Sequence, residues 1–357
     1  MIIKRVFDIL ENYRINFPDK RDVFSVKQDG NWIVLSQNDY YNTSRYVSMG
    51  LLSLGIKPSD TVMSIFSYNL PQWNLIDMGI LQIGAVHVSV HSSYSENDLR
   101  YVLKEINPKI LFVSDEKVYQ TVIPIIENIL KTNHIYLIEN SGNEKSFNKI
   151  IDLGKENSEK LNKKLTTLKN DISENQLATI IYTSGTTGLP KGVMLSHKNI
   201  VTNVLAASKL QPLRENDKIL SFLPLCHAYE RTGNYQFQFH GTSIYYSDGI
   251  KSLTQDLIEI QPDGITTIPR LLEKVLININ LKSRELHGIK KRVFTWAMNF
   301  GYQYDPVMKS NLFSYIIEML QKTSYRGSSE EIQIALGKYH LPDNLKDALV
   351  KIKKLWQ

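Results

Sequence analysis

Three short β-branched runs, at residues 61–66, 84–90 and 109–113, alternate with stretches of helical pattern. This alternation constrains the fold more than any other feature. Thr61-Val62-Met63-Ser64-Ile65-Phe66 reads as a buried strand. Residues 44–54 carry helical periodicity and stop at Gly55, a residue suited to the C′ position just past a helix. Asn69-Leu70-Pro71-Gln72-Trp73 opens a further helix, with Pro71 in the first turn where an N–H is not needed. Ser95, three residues before Asp98, is placed to cap a helix that runs through Ile106 and ends at Asn107-Pro108. Strand and helix alternating at this spacing predict parallel βαβ units, hence an α/β fold with parallel sheets flanked by helices.

A chain of 357 residues is long enough for two or three subdomains with a sizeable core. No run of eighteen apolar residues suggests a membrane span, and the first residues lack the pattern of a secretory signal. The single cysteine, Cys226, excludes an internal disulfide and fits a reducing compartment, so the expected location is the cytoplasm. Net charge is +6, and from residue 281 onward 13 Lys and Arg face 7 Asp and Glu, which accounts for the whole surplus. A basic end suits nucleic acid, an anionic membrane surface or a solvated helix face. No compact basic motif with interleaved aromatics is present, so nucleic acid is not an expected partner. Residues 141–174 are polar and read as a surface connection between lobes at 1–140 and 175–357.

After that connection, Leu177-Ala178-Thr179-Ile180-Ile181-Tyr182 reads as an apolar strand leading directly into Thr183-Ser184-Gly185-Thr186-Thr187-Gly188. Two glycines and four hydroxyl residues fill these six positions. Glycine lets the backbone turn sharply and approach an anion closely, and successive N–H groups in such a turn form an anion-binding nest. The hydroxyls add donors, and Lys191 adds a positive charge. A triphosphate uses this whole inventory; a flexible surface turn is the plainer alternative. The loop is not a Walker A motif, because Pro190 stands where that motif needs glycine before its lysine.

The string Thr-Ser-Gly-Thr-Thr-Gly-Leu-Pro-Lys-Gly, residues 183–192, resembles the signature loop of the acyl-adenylate-forming superfamily, the AMP-binding synthetases. Leu223-Pro224-Leu225-Cys226-His227, followed by Tyr229-Glu230-Arg231, looks like the second core motif of the long-chain fatty acid–CoA ligases, and the Glu-Arg extension points to that branch. Pro269-Arg270-Leu271-Leu272-Glu273-Lys274, after an expected strand at 264–268, and the stretch 292–301 around Trp296 resemble later elements of the same branch. The resemblance covers the chain from about residue 20 to its end. It implies the N-terminal subdomains of the adenylate-forming synthetase fold.

The resemblance also implies a reaction. A fatty carboxylate attacks the α-phosphate of ATP to give acyl-adenylate and pyrophosphate, and coenzyme A then takes the acyl group. Thr183, Ser184, Gly185, Thr186, Thr187, Gly188 and Lys191 would hold the phosphates, with Mg²⁺ neutralising their charge. His227 would stand beside the acyl and adenylate groups; a hydrogen-bonded core histidine is the alternative. A metal-ligand role for His227 is not expected, since no second histidine sits at ligand spacing. Cys226 is expected to pack rather than react. Glu230 and Arg231, like Arg270 and Glu273, are expected to make ion pairs in the pocket wall, and Trp296 to lie on a packed helix face. The family's adenine-floor, Mg²⁺-binding and ribose-binding motifs and its mobile C-terminal domain are not found. An incomplete ligase is therefore expected, with a remnant or phosphate-binding module without ligase activity as the alternative. Long-chain acids partition into bilayers, so peripheral contact with the inner face of a membrane is compatible with this reading. Acyl chain length and oligomeric state are not legible.

Overall fold

A computed structural model describes residues 3–127, 129, 134–139, 145–183, 189–211, 213–250 and 252–303. Contacts divide the chain into two units, Met1–Ile268 and Pro269–Gln357. Within the second, the described elements are helices α11 (Pro269–Ser283), which carries Arg270 and Glu273, and α12 (Gly288–Gln303), which carries Trp296. Of the six surplus basic charges from residue 281 onward, four fall in residues 281–303, with 5 Lys and Arg against 1 Glu, and two lie outside the described residues.

The first unit contains two sheets. The smaller has β1 (Phe24–Gln28), β2 (Asn31–Leu35), β9 (Lys218–Ser221), β10 (Ser243–Tyr246) and β11 (Gly264–Ile265), in the order β11-β9-β10-β1-β2. The larger has β3 (Thr61–Phe66), β4 (Val86–His91), β5 (Ile110–Val113), β6 (Ile135–Leu137), β7 (Leu177–Thr183) and β8 (Lys191–Ser196), in the order β6-β5-β3-β4-β7-β8. Pairing is parallel except at the edges, where β2 and β8 run antiparallel to β1 and β7. The hairpin β1–β2 turns at Asp29-Gly30, both with positive φ (48° and 80°), the conformation a two-residue hairpin requires. Each sheet draws strands from both sides of the polar stretch 141–174.

The helices are α1 (Asp8–Asn16), α2 (Gln37–Ser53), α3 (Pro71–Leu81), α4 (Glu96–Ile106), α5 (Glu116–Ile126), α6 (Phe147–Glu156), α7 (Ser158–Asp171), α8 (His197–Ser208), α9 (Ala228–His240) and α10 (Leu253–Ile260). Local chemistry sets their ends. Ser36 and Asp39 form a capping box on α2, and Ser95 caps α4 as expected by accepting from the Asp98 N–H. Asn107 closes α4 in the left-handed conformation before Pro108. Residues 147–171, expected to be surface connection, instead fold into α6 and α7, with Ile150 and Leu165 fully buried. The expected strand at 264–268 is shorter, only Gly264–Ile265.

One core joins apolar residues of both sheets with α1, α2 and α3; a second fills the other face of the larger sheet beneath α4 and α5. Strand periodicity explains the division, because successive side chains point to opposite faces. In β4, Val86, Val88 and Val90 enter the second core, while His87 and Ser89 turn to the other side. Those two polar residues are nonetheless buried, at 0% and 4% exposure. No helix among the described residues is long and apolar enough to cross a membrane.

Candidate functional site

The hairpin β7–β8 carries the expected phosphate loop. Thr183 and Lys191 are cross-strand partners at its end, both exposed. Ser184, Gly185, Thr186, Thr187 and Gly188 lie outside the described residues. Next along the hairpin, Tyr182 pairs with Gly192. A Cβ at Gly192 would stand 2.8 Å from Ile180 Cγ2 and 3.2 Å from Tyr182 Cζ. Glycine is required there because side chains of the neighbouring strand lie across its backbone.

Behind the hairpin, a buried polar network ties the larger sheet to α3 and α9. Arg231 is its hub: it pairs with Asp77, donates Nε–H to Tyr235 Oη (2.8 Å) and donates Nη1–H to Thr179 Oγ1 (2.6 Å). Tyr235 donates to the second carboxylate oxygen of Asp77, and His87 Nδ1 lies 2.6 Å from the first. His87 Nε2 meets Ser64 Oγ at 2.8 Å, which lies 3.0 Å from Ser89 Oγ. Trp73 donates its indole N–H to Ser89 (2.9 Å), and its ring centroid lies 5.0 Å from the Arg231 guanidinium carbon. Burial pushes the Asp77 carboxyl up, but the Arg231 charge and the His87 hydrogen bond outweigh it and hold the group below its ordinary value. Burial lowers His87 against the opposing pull of Asp77, so the ring is neutral, with Nδ1–H donating to Asp77. The network therefore holds one fully paired ion pair and one neutral histidine, the condition for polar groups away from water.

A cavity of about 190 Å³ opens where the carboxyl ends of β3 and β4 meet those of β9 and β10. Ligands in parallel α/β proteins settle outside strand carboxyl ends. Its wall includes Ser89, His91 and the segment Phe222 to Cys226 of the expected second motif. Asn69, also in the wall, clamps this segment, donating to Leu223 O (2.8 Å) and accepting from the Leu225 N–H (3.2 Å). Thr183 and Lys191 are not among the lining residues.

His227 is the N-cap of α9 and is exposed, which sets it apart from a packed core histidine. Burial still lowers its pKa, and that of His91, where the His227 charge adds a smaller push in the same direction. Burial pushes the Cys226 thiol up to about 12, so it is a packing residue and no thiolate nucleophile near neutral pH. Glu230 and Arg231 differ in environment. Among the described residues, Arg231 makes an ion pair and Glu230 makes none. Glu230, wholly buried, accepts from Ser221 Oγ (2.5 Å), and its Oε2 meets no donor among the described residues. Burial raises the carboxyl to about 7, against smaller opposing pulls from the Ser221 and Thr266 hydroxyls. The pair expected in the pocket wall is thus an Arg231–Asp77 pair inside the fold. Among the described residues no cluster of three His, Cys, Asp or Glu could hold a metal ion.

The α/β architecture, the hairpin and the segment after β9 define a class, and comparison with known proteins agrees. The sequence pattern of the family described as AMP-binding enzyme matches residues 12–305, and the chain belongs to that family. It is 29% identical over 290 residues to a long-chain-fatty-acid–CoA ligase of Xenopus laevis, covering 78% of this chain and 39% of that protein. It is 30% identical over 250 residues to one of Mycobacterium tuberculosis, covering 69% and 41%. The chain thus spans about two-fifths of the length of these curated relatives. Among solved structures, a long-chain-fatty-acid–CoA ligase of Archaeoglobus fulgidus superposes with a TM-score of 0.65 at 18% identity, covering 78% of this chain and 55% of that one. An inhibitor-bound N-terminal domain from Mycobacterium tuberculosis, FACL13, gives 0.59 at 16%, covering 76% and 64%. At these identities the likeness concerns the fold, that of the N-terminal domain of adenylate-forming enzymes.

Sequence reading missed Asp77, His87 and Thr179. A signal was there for Asp77: it is the one charged residue in Pro71–Leu81, a helix with ten of its eleven residues buried. An acid with no solvent face needs a cation.

Proposed function

We propose that this protein acts in ATP-dependent activation of long-chain fatty acids. The fatty carboxylate attacks the α-phosphorus of Mg·ATP, the bond to the bridging oxygen breaks, and pyrophosphate departs from an acyl-adenylate. The thiol of coenzyme A then adds to the acyl carbon, releasing AMP and a proton and leaving a thioester. The observation that carries this reading is the Thr183–Lys191 pair at the end of β7–β8, flanking the hydroxyl and glycine positions 184–188. Curated relatives named long-chain-fatty-acid–CoA ligases support the choice of acid and acceptor.

In this proposal Thr183, Ser184, Gly185, Thr186, Thr187, Gly188 and Lys191 bind the β- and γ-phosphates and stabilise the departing pyrophosphate. Mg²⁺ arrives with the nucleotide, as is usual for an ion that prefers phosphates and one or two carboxylates to a protein cage. His227, exposed before α9, borders the acyl and adenylate groups. Two anions must meet, so charge neutralisation is the chief demand on the site. The reading places the protein in the cytoplasm, in peripheral contact with membranes from which long-chain acids are drawn.

The test is pyrophosphate release from Mg·ATP by the protein, with palmitate, benzoate and an amino acid offered in turn. Palmitate-dependent release supports the proposal. Release with benzoate or the amino acid alone moves the activity to another acid class. ATP binding with no carboxylate-dependent release favours a phosphate-binding module.

A further inference from the structure

Strand β7 is held in the larger sheet over only part of its length. Its pairing with β4 consists of His87 with Thr179 and Val88 with Ile180. From Ile181 onward its ladder partner among the described residues is β8, which at positions 191–194 is exposed. The end of the hairpin is therefore a two-stranded ribbon that has left the sheet, and such a ribbon is marginally stable by itself. Thr183 and Lys191 sit at its far end.

Two side chains from around α4 reach that ribbon, and both act on Tyr182. Tyr94, just before α4, donates its hydroxyl to the Tyr182 carbonyl (3.2 Å). Glu105, in the last turn of α4, accepts the Tyr182 hydroxyl. Tyr182 is the last buried residue of β7, at 4% exposure, and its ring belongs to the second core. Gly192 opposite leaves room for it.

We propose that Tyr94 and Glu105 are positioning residues for the Thr183–Lys191 pair, holding the ribbon end by the carbonyl and the hydroxyl of Tyr182. This rests on the phosphate reading of that pair. Neither residue touches the nucleotide in this scheme. They limit the spread of Lys191 positions, so less ordering is needed when an anion binds. Hydrogen bonds of this kind each shift an equilibrium by roughly threefold to tenfold.

The experiment uses the 357-residue chain and three variants, Tyr94→Phe, Glu105→Ala and Glu105→Gln. Amide hydrogen exchange is followed at residues 191–194 and in β3, and Mg·ATP affinity is titrated on the same samples. Tyr94→Phe and Glu105→Ala are expected to speed exchange at 191–194 and weaken Mg·ATP by about threefold to tenfold, with β3 unchanged. Glu105→Gln keeps an acceptor for the Tyr182 hydroxyl and is expected to restore both readings. Unchanged exchange at 191–194 in Tyr94→Phe and Glu105→Ala, or failure of the glutamine to restore it, would overturn the tether whatever the binding. Faster exchange in a chain whose wild type binds no Mg·ATP would leave the tether standing and overturn the phosphate reading.

Discussion

Arg231 of α9 and Asp77 of α3 form an ion pair with both side chains out of water, at 2% and 0% exposure. The pair joins two helices to the larger sheet through Thr179 and His87. Arg231→Leu leaves a buried carboxylate without its cation and is expected to lower stability by about 3–5 kcal/mol. Asp77→Leu combined with Arg231→Leu removes both charges and should recover a large part of that loss. Denaturant unfolding of the two single variants and the double variant measures the coupling; simple additivity would contradict the pairing.

His197, 1% exposed, accepts the Val6 N–H at Nδ1 (3.2 Å), and burial lowers its pKa from 6.5 to about 4. A neutral ring in the fold and a normal one in the unfolded chain mean that the unfolded state binds the proton first. This contribution to stability is intact above pH 6.5 and is lost as pH falls toward 4, by roughly 3 kcal/mol in all. His197→Asn keeps an acceptor near Nδ1. Unfolding free energies of wild type and His197→Asn between pH 7 and 4 should diverge with the variant favoured in acid; parallel curves would contradict the assignment.

Glu230 has the opposite sign. Its carboxyl is raised from 4.5 to about 7, so the fold holds the proton more tightly than the unfolded chain does. Stability from this group is present below pH 4.5 and lost as pH rises through 7, again by roughly 3 kcal/mol. Glu230→Gln should melt above wild type at pH 8 and level with it at pH 4. A variant less stable than wild type at pH 8 would point to a stabilising carboxylate instead.

Helices α2 and α6 touch through two glycines. A Cβ on Gly50 would lie 2.0 Å from the carbonyl oxygen of Ile150, and one on Gly154 would lie 1.9 Å from that of Tyr46. Backbone cannot yield as a side-chain tip can. Gly154→Ala is expected to destabilise by about 1–3 kcal/mol or more through overpacking, despite the better helix propensity of alanine. Thermal unfolding reads the result, and a more stable Gly154→Ala would contradict the contact.

The same helices show where sequence reading stopped. The first three parallel strands and the cap of α4 were legible, because β-branched runs and a Ser-x-x-Asp cap are local signals. Helices α6 and α7 read as connection because their polar residues outnumber the apolar ones, and the close approaches of Gly50 to Ile150 and of Gly154 to Tyr46 join residues a hundred or more positions apart. In β4, the Val-His-Val-Ser-Val alternation is the pattern of a half-exposed strand. Both faces are buried, and the polar one is satisfied only by Asp77, Ser64 and Trp73 from elsewhere in the chain. At the candidate site, Thr183 and Lys191 were legible as candidates from the loop string. Their tether at Tyr182 was not, since a tyrosine in a strand carries no mark of which helix will hold its hydroxyl.

The most direct test is Mg·ATP titration of the chain and its Lys191→Ala variant. Charge-assisted hydrogen bonds are worth about 1.5–3 kcal/mol. Saturable binding by wild type, weakened roughly tenfold or more in Lys191→Ala while the melting temperature holds, is the predicted result. Equal affinity in the two proteins would contradict the role of the Thr183–Lys191 end in gripping phosphate.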